Sequence, residues 1–419
     1  MFKFIHSADL HLDSPLRGLA ARPDAPKDEI RLATRRALRN LVDFAIEQSV
    51  NFVIIAGDVY DGDWQDYQTG LFFNSCMAKL RDYNISVYLI RGNHDAQSNI
   101  TKRLVLPSNV TEFRADKPET HYIEDIKAAL HGQSFKQREV RENLALHYPD
   151  KAPGYFNIGI LHTCAEGEDG HENYAPCKVE ELVSKGYGYW ALGHIHKLNI
   201  LHENPYIVFP GNIQGRHIRE TGEKGCTLVT VNGQDVTIEH HSLDVLRFYI
   251  CEVDLTNADS DEDFTSFVCS GIEELADANK GYMLALRIRL IGHTKLHGHL
   301  LEDMERYIHE VQNAATMIAG DRIWIEKVKF NTKPVERLQN STLYRDAIGQ
   351  LIGSVDTAVM DTEFIDEFLQ HVKKIQSRLG AYVKQKDATR VESADDVYGL
   401  LNDAKEILLT MAGKGGTRR

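Results

Sequence analysis

Five times along the first half of the chain, a short apolar run ends in Asp, Asn or His. Phe2–Ser7 leads into Asp9 and His11, and Phe52–Ile55 into Asp58 and Asp61. Ser86–Ile90 leads into Asn93 and His94, Ile158–Leu161 into His162, and Tyr189–Leu192 into His194 and His196. Asp offers a charged oxygen, Asn a neutral oxygen and His a nitrogen; no thiolate joins the set. Mixed carboxylate–imidazole donors suit Mn²⁺, Fe²⁺ or Zn²⁺ better than Ca²⁺ or a structural cysteine zinc site. The donors are too many for one tetrahedral ion and fit two ions that share a bridging carboxylate. Two ions roughly 3.5–4 Å apart can clamp the attacking and leaving oxygens of an in-line phosphoryl displacement. Any one of these segments also reads as a plain turn. Together, in this order and at strand ends, they read as one metal site.

That reading requires the runs to be neighbouring strands, because ligands of α/β sheets sit outside the carboxyl ends of the strands. The intervening sequence supplies helices. Over residues 28–48, Ile30, Ala33, Ala37, Leu41 and Ala45 share one stripe, and residues 65–81 read as a second helix. Ile207–Phe209 is a further strand. Strands that are apolar throughout and alternate with helices predict an α/β fold whose sheet is covered on both faces. The texture changes near residues 243–248. Phe248–Leu255, Met283–Ile291 and Arg322–Phe330 read as strands, and Asp261–Ala276 and Leu296–Ala314 as helices. This β-α-β-α-β layout suggests a small separate domain, bounded at Lys333-Pro334 because proline biases its predecessor away from helix. Beyond it two amphipathic segments, Glu363–Tyr382 and Ala394–Met411, are the main features, and Gly413–Arg419 reads as a disordered tail. The expected division is residues 1–245, 246–334, 335–412 and 413–419.

With 419 residues, the chain is long enough for two or three domains. A formal net charge of -13 argues against a nucleic-acid coat held by bulk positive charge, though not against a nucleic-acid enzyme. No apolar stretch approaches a membrane span, and Asp9 interrupts the N-terminal apolar run where a signal peptide would need it unbroken. The six cysteines form no CxxC pair and read as reduced, mostly buried thiols, hence a cytoplasmic protein. A zinc knuckle from Cys164, His171 and Cys177 fits no standard spacing. No G-x-x-x-x-G-K-[ST] phosphate loop is present.

Asp9-x-His11, Gly57-Asp58-x-x-Asp61, Gly92-Asn93-His94-Asp95, His162 and Gly193-His194-x-His196 together resemble the motif set of the calcineurin-like metallophosphoesterases. Within that superfamily the chain is similar to the SbcD-type bacterial DNA-repair exonuclease subunits. The segments Asp9–Pro15 and Gly211–His217 resemble the YhaO-type branch. The resemblance implies a two-sheet sandwich flanked by helices over residues 1–245, then a small α/β capping domain for DNA recognition and a helical C-terminal region. It implies that Asp9, His11 and His196 hold one ion, that Asn93, His162 and His194 hold the other, and that Asp58 bridges them. His94 would orient the scissile phosphate and protonate the leaving oxygen. Some relatives carry a second catalytic histidine where this chain has Asp61. Asp61 then either orients a neighbouring imidazole or caps a turn.

The activity implied is a two-metal DNA nuclease, with Mn²⁺ as the ion. It would be a duplex exonuclease, in the 3′-to-5′ sense, with single-strand endonuclease action as an extension. Implied partners are DNA, a separately encoded SMC-like coiled-coil ATPase and a second copy of the chain, with no membrane. A small-molecule or cyclic-nucleotide phosphodiesterase and a structural DNA-end-binding subunit are the alternatives. Softer features stay open. Asn212 and Arg216 follow a strand end, so they either contact phosphate or form a turn with a surface arginine. Arg31, Arg35 and Arg39 either track a DNA backbone or form a solvated helix face. The two C-terminal helices either dock a partner or pack on their own chain. His6, Trp64, Tyr67, Phe72 and Phe73 are expected in the core.

Overall fold

In the computed structural model, residues 1–14, 27–61, 67–97, 105–165, 174–335 and 362–378, with 397, 398 and 401, are described. They fall into two compact units. One holds the described residues up to 249 together with 282–285; the other holds 250–281 and 286 onward.

Side chains alternate between the faces of a strand, and β2 (Phe52–Ala56) shows what that alternation builds. All five of its residues are buried. Phe52, Ile54 and Ala56 belong to one apolar cluster, while Val53 and Ile55 belong to another. The strands β1 (Phe2–Ser7) and β3 (Ser86–Ile90) flank β2 in parallel and divide their residues in the same way. The cluster shared by Phe4, Phe52 and Ile90 continues through Ile158, Ile160, Tyr189, Ala191 and Val208. These come from β7 (Phe156–His162), β8 (Tyr189–Gly193) and β10 (Tyr206–Pro210) of a second sheet. Two sheets therefore pack face to face, and Phe4 stacks on Phe52 with ring centroids 4.9 Å apart. The opposite face of the first sheet is covered by α1 (Lys27–Glu47) and α2 (Tyr67–Asp82) through Leu38, Leu41, Phe73 and Leu80. Trp190, Leu192 and Phe209 face outward from the second sheet, against Leu182 of α3 (Val179–Ser184).

The sandwich expected from the resemblance is thus present, and six of its strands were not anticipated. They are β4 (Val110–Glu112), β5 (Glu119–Ile123), β6 (Ala128–Gly132), β9 (Leu198–Glu203), β11 (Gly225–Asn232) and β12 (Asp235–Ser242). The sheet orders are β12-β11-β1-β2-β3-β4 and β5-β6-β7-β8-β10-β9. Four of the six unforeseen strands are sheet edges, where the apolar run that marks a buried strand is absent. Across the sheets β1, β2, β3, β7, β8 and β10 run parallel to their neighbours, apart from antiparallel pairings of β1 with β11 and β10 with β9.

The second unit contains most of a three-stranded sheet, β13 (Leu246–Asp254), β14 (Met283–His293) and β15 (Ile323–Lys333), in that order. Its first helix, α4 (Asp261–Ala278), starts at Ser260, whose hydroxyl accepts the Asp263 N–H while the Asp263 carboxylate accepts the Ser260 N–H. Phe264, Val268, Ile272 and Ala276 line its buried face at the four-residue spacing of one helix stripe. The single helix expected over 296–314 is instead two. Asp303 leaves helical geometry (φ −131°, ψ 50°) between α5 (His297–Glu302) and α6 (Met304–Ala319). Its N–H still bonds to His299 O and its carbonyl accepts from Tyr307, so the break kinks the chain without orphaning the backbone.

Near the C-terminus α7 (Thr362–Arg378) buries Ile365 against Val397, with Leu369, Val372, Tyr398 and Leu401 around them. One face of α7 thus packs on its own chain, while Phe364 and Phe368 are exposed and stack on each other. Most of the second expected helix and the tail 413–419 lie outside the described residues, as do Trp64 and His171. Of the expected core residues, His6 and Phe73 are buried, but Tyr67 is exposed. Phe72 is half-buried against the same core as Phe73, with the guanidinium groups of Arg35 and Arg39 each 5.1 Å from its ring. All six cysteines are free and five are buried. Among the described residues no helix is long and apolar enough to cross a membrane.

Phe52→Ala opens a void between the sheets, and about 3–5 kcal/mol of unfolding free energy is expected to go. Denaturant unfolding followed by tryptophan fluorescence measures it; a loss below about 1 kcal/mol would mean the sheets are not packed as described.

Candidate metal centre

The loops after β1, β2, β3, β7 and β8 leave the same end of the sandwich, and their backbone is unusual. Asp9 (φ 52°), His11 (φ 41°), Asp58 (φ 52°) and His194 (φ 115°) all have positive φ. A residue with a Cβ loses roughly 1–2 kcal/mol in the left-handed region, so the surroundings must impose it. The Asp9 N–H bonds to Gly57 O, His11 N–H to Asp58 O and Leu12 N–H to Val59 O, each at 3.0 Å. These bonds carry the parallel ladder beyond the strands. Asp95 pins the next loop: its carboxylate accepts the backbone N–H groups of Val59, Tyr60 and Gly92 at 3.0–3.2 Å. Gly92 has no alternative here, because a Cβ would run into the Asp58 carboxylate and the His162 ring.

On this frame the side chains gather into three overlapping groups: Asp9, His11 and His196; His11, Asp58 and His94; and Asp9, Asp58 and His162. Within each group the candidate ligand atoms lie within 4.8 Å of one another. His11 Nε2 faces His196 Nε2 at 3.2 Å. The other nitrogen of each ring faces a carboxylate, His11 Nδ1 to Asp61 at 3.3 Å and His196 Nδ1 to Glu220 at 2.7 Å. The proton of the His196 ring therefore belongs on Nδ1, which turns its Nε2 lone pair toward His11. Asp9 Oδ1, 3.9 Å from His196 Nε2, is buried without a hydrogen-bond partner among the described residues. A second confrontation lies at His162. Its Nδ1 donates to Ala56 O at 2.9 Å, which leaves the Nε2 lone pair 2.9 Å from Asn93 Oδ1 and 3.5 Å from Asp58 Oδ2. Two clusters of acceptors are joined by Asp58; Asp58 Oδ1 accepts the His94 N–H and Asp9 Oδ2 the His194 N–H, while imidazole nitrogens face Asp9 Oδ1, Asn93 Oδ1 and Asp58 Oδ2, an arrangement that fits two cations.

The electrostatics agree. Burial, followed by the charge of Asp58, pushes the Asp9 carboxyl well above its ordinary value, and burial also raises Asp58. Burial lowers His11 and His196 and takes His162 down to about 4, keeping these imidazoles neutral and able to donate a lone pair. Asp61 behaves differently. Burial would raise it, but hydrogen bonds from His11, His94 and Ser14 outweigh that and hold it well below the usual range. For His94, burial works downward, and the bond to Asp61 with the charge of Asp58 outweighs it and raises its proton affinity.

Every residue expected in the site can now be placed. Asp9, His11, Asp58, His162 and His196 converge, and Asn93 faces His162. His194 donates its backbone N–H to Asp9 Oδ2 at 3.0 Å and sets its ring edge-on to His162, with centroids 5.3 Å apart; it enters none of the three groups. His94 Nδ1 lies 3.0 Å from Asp61 Oδ1, and its side chain is 33% exposed, more open than that of His196 at 20%. Asp61 thus touches two imidazoles, the geometry of the orienting alternative. Arg216 reaches Asp61 at 3.9 Å and Glu220 at 3.1 Å. Asn212 is fully buried, and its amide donates to Gln214 O and Glu220 Oε2, which makes it a support of the Arg216 loop. Glu220 was missed. It lies in a polar loop with no apolar run before it, and only the fold brings it to His196. His6 lies behind the site, bonded to the Tyr189 hydroxyl and Leu192 O.

Residues 2–198 match the calcineurin-like phosphoesterase family, and residues 248–333 match the middle domain of the metallophosphoesterase YhaO. The chain is therefore similar to calcineurin-like phosphoesterases in its first half and to the YhaO middle domain beyond it. It is 38% identical over 259 residues to the "Uncharacterized metallophosphoesterase YhaO" of Bacillus subtilis (strain 168), covering 61% of this chain and 64% of that protein. It is 22% identical over 272 residues to the "DNA double-strand break repair protein Mre11" of Sulfurisphaera tokodaii, covering 61% of this chain and 66% of that protein. The match thus spans less than two thirds of either relative. Similar solved structures include a dimetal phosphatase from Danio rerio, 11% identical with a TM-score of 0.35 over 58% of this chain and 96% of that one. A second, the protein TT1561 of Thermus thermophilus, is 9% identical, with a TM-score of 0.33 over 57% of this chain and 98% of that one.

A cation at these acceptors competes with protons. Asp9 and Asp58 have raised values in the fold, so charging them costs the metal-free protein stability as pH rises through those values. A bound divalent cation would remove that cost. The rise in melting temperature on adding Mn²⁺ is therefore expected to be larger near pH 8 than near pH 5. An equal rise at both, by scanning calorimetry, would contradict the site.

Proposed function

We propose that the chain is a two-metal-dependent DNA nuclease of the SbcD type. Residues 1–245 would form its catalytic domain, 246–334 a capping domain and 335–412 a docking region for a coiled-coil ATPase. The observation that carries the reading is the pair of buried acceptor clusters joined at Asp58, beside a half-open His94 held by Asp61. The similarity to a relative named for DNA double-strand break repair supports DNA as the phosphodiester.

In this reading Asp9, His11 and His196 hold one ion, Asn93, His162 and His194 the other, and Asp58 bridges them. Two divalent ions, Mn²⁺ in our proposal, would supply Lewis-acid stabilisation of charge on the phosphate oxygens. The protein supplies the proton and the aim. Asp61 fixes His94 through Nδ1 at 3.0 Å, leaving Nε2 as the nitrogen that protonates the departing oxygen. The raised proton affinity of His94 keeps that proton available near neutral pH. Arg216, held by Glu220, offers its guanidinium to a phosphate oxygen. With a net charge of -13, the chain alone would bind DNA weakly and with strong salt dependence, and the partner would tighten it. Cleavage from the 3′ end, homodimer formation and a cytoplasmic location belong to the same proposal.

The test uses the purified full chain with Mn²⁺, Mg²⁺ or chelator on end-labelled duplex, hairpin and single-stranded DNA, beside a small chromogenic phosphodiester. Mn²⁺-dependent shortening of the duplex is expected. Turnover of the small ester with intact DNA would replace the nuclease with the phosphodiesterase alternative. His94→Ala should keep its Mn²⁺ and lose about 10²–10⁴-fold in cleavage rate. Wild-type cleavage by that variant would remove His94 from the reaction.

A further inference from the structure

Glu220 lies outside every motif that marks the site, yet both of its oxygens are in use. Its side chain is 6% exposed. Oε1 accepts from His196 Nδ1 at 2.7 Å and from Arg216 Nη2 at 3.1 Å. Oε2 accepts the Arg216 backbone N–H at 2.7 Å and the Asn212 side-chain amide at 3.0 Å. The same stretch of chain grips His196 from the other side, where Lys224 Nζ donates to the His196 carbonyl at 2.9 Å. Arg216 Nη2 also lies 3.1 Å from His196 Nδ1. A guanidinium and a carboxylate cannot both be satisfied by one ring nitrogen. The shorter contact is to the carboxylate, which only accepts, so Nδ1 carries the proton and Arg216 is satisfied by Glu220.

We propose that Glu220 is a positioning residue: it holds His196 in the Nδ1–H form with Nε2 aimed at the acceptor cluster of Asp9 and His11, and it holds the Arg216 guanidinium beside that cluster. The reasoning is geometric. An imidazole free to rotate or to exchange tautomers would present an N–H to the cluster part of the time and repel a cation there. A carboxylate behind a histidine removes both freedoms and makes the ring a better donor. Because one carboxylate orders both His196 and Arg216, the cation pocket and the anion-binding arm share a single anchor. The cation half of this inference rests on the proposed metal site; the tautomer half does not.

Two measurements test the halves separately. In the metal-free full chain, long-range imidazole ¹⁵N–¹H spectra should show His196 protonated at Nδ1, and Glu220→Ala should shift it toward the Nε2–H form. By calorimetry, Glu220→Ala should lower the affinity for one of two Mn²⁺ equivalents by about 10–100-fold, with the other unchanged. Glu220→Gln keeps an oxygen that can accept from Nδ1–H, so it should restore most of that affinity. It should still impair cleavage, because its NH₂ faces the donors of Arg216 and Asn212. Gln also preserves side-chain volume should Ala fail to fold. An unchanged tautomer together with unchanged affinity in Glu220→Ala overturns the assignment, as does a Gln variant no better than Ala. A wild-type chain with the expected tautomer that takes up no Mn²⁺ overturns the metal reading itself.

Discussion

Six acceptor groups turned toward one another, although the backbone N–H groups of His94 and His194 donate to the Asp58 and Asp9 carboxylates, are the constraint around which the first unit is built. In a buried site such an arrangement is unfavourable: burial raises the proton affinities of Asp9 and Asp58, and the charge of Asp58 raises Asp9 further. Proteins ordinarily pair buried acceptors with donors. Here the groups that hold the ligands lie behind the ligand atoms: Ala56 O orients His162, Glu220 orients His196, and the backbone of His194 anchors Asp9. A cation entering between these groups would relieve that cost.

The strain needs a rigid support, and the fold provides one. Four site residues stand in left-handed backbone. They are kept there by ladder bonds that run past the strand ends and by the Asp95 carboxylate, which ties the loop after β2 to the loop after β3. Beneath them the two sheets press Phe4, Phe52, Tyr189 and their neighbours into a fully buried layer. A displacement of any central strand would move a ligand, so the packing of the sandwich and the geometry of the site are one property. Tyr189 shows the link: it packs on Phe4 and bonds to His6 immediately behind the site.

The two imidazoles closest to Asp61 illustrate how environment divides labour between like residues. His11 is fully buried and pushed toward the neutral form, suited to donating a lone pair. His94 is partly open and holds its proton more firmly than usual, suited to giving it away. One carboxylate touches both rings, and the difference between them comes from burial and from the neighbouring charges, with Arg216 pressing on His11 and Asp58 on His94.

The amino-acid sequence alone marks six of the central strands, the helices that cover them and the identity of the donors. Each of these is written locally, as an apolar run of strand length, a stripe at helical spacing, or an Asp, Asn or His at a strand end. It did not determine the edge strands β4, β5, β9 and β12, whose half-exposed residues lack a continuous apolar run, nor the kink at Asp303. It could not say that Asp61 meets both His11 and His94, nor that Asn212 bonds to Glu220, because each is a matter of what lies across the fold. Glu220 was invisible for the same reason. Its partner His196 is 24 residues away, and the tertiary structure decides their meeting by bringing the loop after β10 back over the end of β8. Residue types and spacings are local properties; the direction in which a lone pair points is set only when distant strands are packed together.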